Sequence, residues 1–183
     1  MSAMRGYFGV GIHGVSKPMN VGNLVRTAHA FGAGFVFLID PYVDMDAIGA
    51  SDTSATAESL PLYTFDSIEQ LVLPRGCRLV GIEFLADAVE LPSFRHPHRA
   101  AYLLGPELDS LAPGVLARCD HVVRIPTRFC VNLATAGAMV MYDRVMQMGR
   151  HAPRPVRPGG PEAPPAPSGG RPGAIDLERL PRD

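Results

Sequence analysis

RIPTRFCVNLATAGAMVMYD, residues 124–143, is the segment that decides the fold. Pro126 has no N–H group to donate to a sheet, so the strand that leads into it ends there. From Asn132 to Met148 the chain is a proline-free run of small and large apolar residues, which predicts a helix. Asn132 is therefore either the N-cap of this helix or a site residue, because α/β sheets bind ligands where a strand passes into a helix.

The composition is that of one globular domain. The 183 residues are 46% hydrophobic, and the net charge of −1 gives no overall basic footprint for nucleic acid. The three cysteines form no CxxC pair, which indicates reduced thiols and neither a disulfide framework nor a zinc site. No apolar signal region is present at the N-terminus, and no stretch reaches the ~18 apolar residues of a membrane span. We therefore expect a soluble, cytoplasmic protein without a bound metal.

Short apolar runs alternate with segments of helical periodicity over the first 150 residues. The predicted strands are 6–12, 35–39, 62–65, 78–84, 100–104 and 121–125. The predicted helices are 20–31, 66–73, 113–117 and 132–148. Asp66 and Glu69 have the spacing of a capping box at the start of the second helix. This alternation predicts an α/β fold with a mostly parallel sheet and helices on both faces.

Residues 151–183 have a different composition from the rest of the chain. They hold nine of the eighteen prolines and five glycines, and too few large apolar residues to form a core. We expect a domain over 1–150 and a largely disordered tail over 151–183. With residue 150, the tail carries six basic and four acidic residues, so it is weakly basic. A solvated tail is the favoured interpretation over one that contacts a phosphate backbone.

The glycines at positions 9, 11 and 14 match the spacing of a dinucleotide-binding loop, and Asp40 follows at the end of a later strand. That motif must follow a strand and open a helix. Here the glycines lie within the only strand-like run available, and Pro18 occurs where the helix would form. We interpret the motif as a chance match, so a nicotinamide-dependent enzyme is the least favoured alternative.

Other polar residues are weak signals when taken alone. His96 and His98 have no partner at a zinc-ligand spacing, so a surface loop is favoured for both. Cys130 lies near a helix N-terminus and is a candidate nucleophile, but a small buried cysteine is the commoner case. Arg26 shares a helix with Asn20, which predicts a polar cluster near the carboxyl edge of the first strand. A solvated arginine is the alternative.

Three segments, in order, resemble the motifs of the SpoU-type, TrmH-like RNA ribose methyltransferases. They are NVGNLVRTAHAFGAGFVFLID (20–40), LLGPELDSLAPGVLARCDHVVRIP (103–126) and FCVNLATAGAMVMYD (129–143). The resemblance implies the SPOUT α/β fold, in which the C-terminal part threads a loop to form a trefoil knot. It also implies a homodimer whose site is completed across the interface.

The same resemblance assigns roles to individual residues. Arg26 matches the catalytic arginine of the family, Asn20 its supporting asparagine, and Asn132 the asparagine of its third motif. S-adenosylmethionine would be held largely by backbone in the knot, and no metal is required. The residues implied in cofactor binding are Glu83, Gly105, Ile125, Cys130, Val131 and Leu133.

The reaction implied by the resemblance is methyl transfer to an RNA ribose 2'-hydroxyl. No added RNA-binding domain precedes the expected knot, and for such compact members we favour tRNA over ribosomal RNA as the substrate. Cys130 stands where the family usually has serine, and Leu108 and Ser110 stand where it has glycines. These departures leave an RNA-binding protein of the same fold without catalysis as the main alternative.

Overall fold

The computed structural model describes residues 6–43, 60–106, 109–149, 151, 154 and 158–160. The chain divides into two compact units: Met4–Gly149 forms the larger one, and Met1–Ala3 with Arg150–Asp183 forms the smaller one. Nearly all of the tail predicted over 151–183, and Leu108, lie outside the described residues.

A single parallel sheet forms the centre of the larger unit, as the alternating pattern predicted. In the described ranges its strands are β1 (Tyr7–His13), β2 (Phe35–Ile39), β3 (Leu62–Phe65), β4 (Arg78–Ile82), β5 (Val89–Glu90), β6 (Arg99–Leu104) and β7 (His121–Arg124). Their order across the sheet is β3-β2-β1-β6-β4-β7-β5, and every adjacent pair is parallel. Of these strands, the two-residue β5 was not predicted from the sequence. The trefoil knot stays a prediction.

Three α-helices accompany the strands in the described ranges: α1 (Pro18–Ala30), α2 (Pro113–Leu116) and α3 (Leu133–Met148). The predicted helix over 66–73 is wrong, because the chain makes only a 3-10 turn at Ile68–Gln70, and no side chain caps it. Leu73 precedes Pro74, which disfavours helical backbone at Leu73 and leaves too few residues for a helix. Within the described part of the chain, no helix has the length and apolar character needed to cross a membrane.

Both faces of the sheet are covered by apolar side chains. On one face, α1 and α3 pack over the sheet, and the cluster includes Phe8, Val10, Ile12, Leu24, Val25, Val140 and Met141. On the other face, α2 and the 3-10 turn contribute to a cluster that includes Phe37, Ile39, Ile68, Leu71, Leu79, Leu103, Leu111 and Val115. The long apolar runs of β2 and β6 are those expected of strands buried on both sides.

The glycines of the apparent dinucleotide motif serve packing. A Cβ atom at Gly9 would lie 2.3 Å from the ring of Phe35, and one at Gly11 would lie 2.5 Å from the ring of Phe37. The aromatic rings of β2 can therefore lie across β1 only because these positions lack side chains. Gly14 is in a left-handed turn, and α1 begins at Pro18, so the third glycine does not open a helix.

A buried polar network holds α3 against the amino-terminal edge of the sheet. Arg144 is 1% exposed. Its Nη1 atom donates to the carbonyl of Pro97 (2.7 Å) and the hydroxyl of Tyr102 (3.0 Å), while Nη2 donates to the carbonyls of His98 (2.9 Å) and Tyr7 (3.3 Å). Its guanidinium carbon also lies 5.2 Å from the centre of the Phe8 ring. One cation thus links a helix, two strands and the connection that precedes β6.

His96 belongs to the same network, so the surface-loop interpretation of this residue is wrong. The side chain is buried, with its ring contacting the hydroxyl of Tyr102 through Nδ1 and the carboxylate of Asp143 through Nε2 at 3.0 Å. Burial lowers the pKa of His96, opposed by Asp143 and reinforced by the positive charge of Arg144. Burial also raises the pKa of Tyr102 to about 12, so its hydroxyl keeps the proton it can donate. His98 is exposed, as predicted.

We expect the free energy of unfolding to decrease as the pH falls below about 6.5, which is the ordinary pKa of a histidine side chain. Because burial lowers the pKa of His96 in the folded chain, the unfolded chain takes up a proton that the folded chain does not. The stabilisation is complete above the unfolded pKa and is lost as the pH falls towards the folded pKa. Urea unfolding at a series of pH values measures this slope.

His96→Gln removes the titrating group and should flatten the slope between about pH 7 and pH 5.5. His98→Gln is the matched control, because His98 is exposed. Equal slopes for the wild-type protein and His96→Gln would contradict the assignment.

Candidate active site

A cavity of about 630 Å³ lies at the carboxyl ends of β4, β6 and β7 and beside the start of α1. This is the edge at which parallel α/β sheets bind ligands. The lining residues come from four connections and the ends of the strands and helices beside them: Lys17 and Asn20; Ile82, Glu83 and Phe84; Leu104, Gly105, Pro106, Asp109 and Ser110; and Ile125, Thr127, Cys130, Val131, Asn132, Leu133 and Ala136. The cavity therefore brings together eight of the nine site residues predicted from the sequence, all but Arg26.

Asn132 is the N-cap of α3 and also lines the cavity, while its role as a site residue stays a prediction. Its Oδ1 atom accepts from the backbone N–H groups of Ala134 (3.0 Å) and Thr135 (3.4 Å). Its Nδ2 atom donates to Oδ1 of Asn20 at 3.2 Å. Asn20 is buried on α1. One side chain thus starts α3 and joins it to α1 at the wall of the cavity.

Two substitutions of Asn132 distinguish the effect of its capping hydrogen bonds from that of its hydrogen bond to Asn20. Asn132→Ala should lower the free energy of unfolding by about 1 kcal/mol, because the cap of α3 is lost. Asn132→Asp keeps the capping oxygens but has no N–H to donate to Asn20, so it should lose less stability. Chemical denaturation of both variants checks the order. An aspartate variant as unstable as the alanine variant would rule out capping as the main stabilising contact.

Glu83 ties together two of the loops that line the cavity. One carboxylate oxygen accepts from the N–H of Phe84 (2.9 Å) and the other from the N–H of Leu111 (2.7 Å). A Cβ atom at Gly105 would lie 3.0 Å from this carboxylate and 3.4 Å from Cγ of Leu111. The absence of a side chain at Gly105 therefore lets the loop after β6 lie close to Glu83. A direct contact of Glu83 with a cofactor stays a prediction.

The connection between β7 and α3 is braced by its own hydrogen bonds. The N–H of Thr127 donates to the carbonyl of Ile125 (2.8 Å), and its hydroxyl donates to the carbonyl of Phe129 (2.8 Å). Cys130 is exposed and lines the cavity, so its favoured interpretation as a buried cysteine is wrong. The reason is that α3 starts only after Asn132, which leaves Cys130 on the surface loop ahead of the helix.

Arg26 is the predicted site residue that does not line the cavity within one chain. Met19, Asn23, Arg26 and Ala30 are exposed at helical spacing, so they form the outer face of α1. Asn20 lies on the buried side of the same helix. Arg26 is six residues further along, about 9 Å from Asn20 at the rise of an α-helix. In the single chain Arg26 is therefore a solvated arginine, which is the alternative given above.

Some lining residues were not singled out from the sequence. Lys17 and Asp109 both face the cavity, one from the connection after β1 and the other from the connection after β6. Their positions could have identified them from the sequence, because each residue follows the carboxyl end of a parallel strand. In the described ranges, no group of three or more His, Cys, Asp or Glu side chains is arranged to hold a metal ion.

Residues 8–142 match the sequence model of the SpoU rRNA Methylase family. The chain belongs to this family. The resemblance drawn from its three motifs is thereby confirmed, and the motifs supply most of the cavity wall.

Two curated members of the SpoU group illustrate its relatives. The tRNA (guanosine(18)-2'-O)-methyltransferase TARBP1 of Mus musculus is 24% identical over 142 residues, which cover 73% of this chain and 9% of that protein. The 23S rRNA (guanosine-2'-O-)-methyltransferase RlmB of Ralstonia nicotianae is 27% identical over 142 residues, covering 74% of this chain and 57% of that protein. The chain thus spans little more than half of RlmB and a small part of TARBP1.

Two solved structures share the fold of this SpoU chain. The AdoMet-bound rRNA methyltransferase from Sinorhizobium meliloti superposes with a TM-score of 0.69 at 21% identity, covering 81% of this chain and 59% of that one. A structure described as "Structural insights into the 2-OH methylation of C/U34 on tRNA" superposes with a TM-score of 0.69 at 28% identity, covering 80% of this chain and 99% of that one. The parallel sheet flanked by helices is common to them.

Proposed function

We propose that this SpoU-family protein transfers the methyl group of S-adenosylmethionine to a ribose 2'-hydroxyl of RNA. The observation that carries the proposal is the cavity in which the Asn20–Asn132 pair meets the loops after β4, β6 and β7. Membership of the family supports the reaction class. Both curated relatives are named as guanosine 2'-O-methyltransferases, and one neighbouring structure was solved with AdoMet.

The cavity suits S-adenosylmethionine in size and chemistry. Its volume of about 630 Å³ is within the usual range for small-molecule sites. Polar and apolar surfaces contribute comparably to its wall. When bound, S-adenosylmethionine supplies an electrophilic methyl group. The residues that would hold it are Glu83, Gly105, Ile125, Cys130, Val131 and Leu133.

The protein's own groups align the acceptor and assist removal of its proton. Arg26 is permanently protonated and has only donors, so it can polarise the 2'-hydroxyl and bind the adjacent phosphate. A substrate phosphate can then take the proton. Asn20 and Asn132, held together at 3.2 Å, fix the geometry beside the cavity. Alignment of oxygen, carbon and sulfur provides most of the expected acceleration.

A second copy of the chain would bring Arg26 to a cavity. On the same face of α1 as Arg26, Met19 is 69% exposed, and on α3 Tyr142 is 53% exposed. Exposed apolar groups on two packed helices are suited to burial in an interface. We propose a homodimer in which Arg26 of each chain completes the cavity of its partner, with the carboxyl-terminal half of each chain threaded as the trefoil knot.

We favour tRNA over ribosomal RNA as the substrate. The relative that this chain matches over 99% of its length is described with methylation of tRNA. TARBP1 is likewise named as a tRNA methyltransferase.

Transfer of labelled methyl from S-adenosylmethionine to separated RNA fractions, followed by nucleoside analysis, tests the proposal. We expect a labelled 2'-O-methyl nucleoside from the tRNA fraction. Ser110 lines the cavity where the family pattern has glycine, which favours an RNA-binding protein without catalysis as the second candidate. RNA binding with no methyl transfer to any fraction would establish that candidate and refute the enzyme.

A further inference from the structure

Phe129 and Arg128 form an exposed pair at the rim of the cavity. Phe129 is 75% exposed, the highest value for an aromatic residue in the described part of the chain, and Arg128 is also exposed. Their neighbours in the loop, Thr127 and Cys130, line the cavity. The two side chains are therefore held within a residue or two of the cavity wall.

The loop holds its shape without help from the Phe129 ring. Thr127 closes the turn through its N–H and hydroxyl, both bonded to backbone carbonyls within the loop. The ring belongs to neither apolar cluster of the sheet. Its large apolar surface therefore contributes little to the stability of the single chain, and it is free to contact a ligand.

We propose that Phe129 stacks on an unpaired base of the RNA substrate while Arg128 binds the neighbouring phosphate. This proposal rests on the proposed function and narrows its substrate to RNA with an unpaired nucleotide at the target. An aromatic ring can stack on a base only where that base is splayed out of a helix, as in a loop, bulge or end. Arginine is suited to the phosphate because its planar fork donates two parallel hydrogen bonds.

The test uses full-length protein and two fluorescent RNAs of equal length, a stem-loop and a fully paired duplex. Fluorescence anisotropy gives the Kd of each variant for each RNA. We expect Phe129→Ala to raise the Kd for the stem-loop roughly 10-fold, with little change for the duplex, whereas Phe129→Trp retains stem-loop binding. Arg128→Ala should weaken binding of both RNAs and reduce the dependence on salt.

The controls are Val72→Ala, which removes an exposed apolar side chain, and Arg95→Ala, which removes an exposed arginine, both on other connections. A Phe129→Ala variant that binds the stem-loop as Val72→Ala does would overturn the proposal, as would a wild-type protein that binds neither RNA. Loss of the dimer in Phe129→Ala, seen by light scattering, would assign the ring to a protein interface and also overturn it. Stem-loop binding that depends on Phe129, without methyl transfer by the wild type, would refute the enzyme and leave the RNA contact standing.

Discussion

We expect Arg26→Ala to lower the rate of methyl transfer by at least about 100-fold, the lower end of what one group assisting proton transfer contributes. The variant should still fold and bind S-adenosylmethionine, because Arg26 is exposed on α1 and lies outside the cavity wall of its own chain. Single-turnover transfer to the RNA substrate gives the rate, and calorimetry with S-adenosylmethionine gives the affinity. An alanine variant with wild-type turnover would refute the assignment of Arg26.

Mixed dimers decide whether Arg26 acts in its own chain or across an interface. Gly105→Val closes the cavity of its chain, since even a Cβ atom at Gly105 lies 3.0 Å from the Glu83 carboxylate. Neither Arg26→Ala nor Gly105→Val should be active alone. If Arg26 acts across the interface, co-expressed chains restore activity, because the open cavity of one chain receives the arginine of the other. Action within one chain predicts no restoration.

Arg144→Met should lower the free energy of unfolding by more than about 3 kcal/mol, the largest stability effect that we expect from a single substitution in this chain. The thioether cannot donate, so the partly buried carbonyls of Tyr7 and Pro97 lose this donor, and the carbonyl of His98 keeps only the N–H of Tyr7. Urea unfolding followed by circular dichroism measures the loss.

Two further variants keep the Arg144 prediction testable if the methionine variant fails to fold. Tyr102→Phe removes one member of the network and should cost about 1 kcal/mol. Arg95→Met, at an exposed arginine, should change stability by less than about 0.5 kcal/mol. An Arg144→Met variant as stable as Arg95→Met would show that the network is not stabilising.

The strands and the last helix could be predicted because their patterns are local. Continuous apolar runs such as Phe35–Ile39 mark strands covered on both faces, and Asn132 before a proline-free apolar run marks a helix start. The prediction of a helix over 66–73 was wrong for a reason that is also local, because Pro74 disfavours helical backbone at the residue before it. The strand-to-helix connection at Asn132 indicated one edge where a ligand could bind, whereas Glu83, Gly105 and the other predicted cofactor residues were implied only by the family resemblance.

The buried polar residues could not be predicted from local patterns. Arg144 and His96 are buried against partners from other segments of the chain, including the carbonyl of Tyr7, 137 positions away from Arg144. One signal was present: Arg144 is four residues after Val140 and three after Met141, on the core-facing side of α3. Arg26 differs from these residues, because it was predicted from the sequence but is exposed in the single chain. Its expected catalytic role therefore depends on a second chain.

The order of strands also governs how this protein is made. Tyr7 pairs with Arg99, so the centre of the sheet joins residues 92 positions apart. As the chain leaves the ribosome, β1 emerges early and must remain without its neighbour β6 until β6 has been synthesised. Pairing between segments so distant in sequence is slow, and β1 exposes apolar side chains while it is unpaired. Slowed translation before β6 should therefore increase the association of the nascent chain with chaperones.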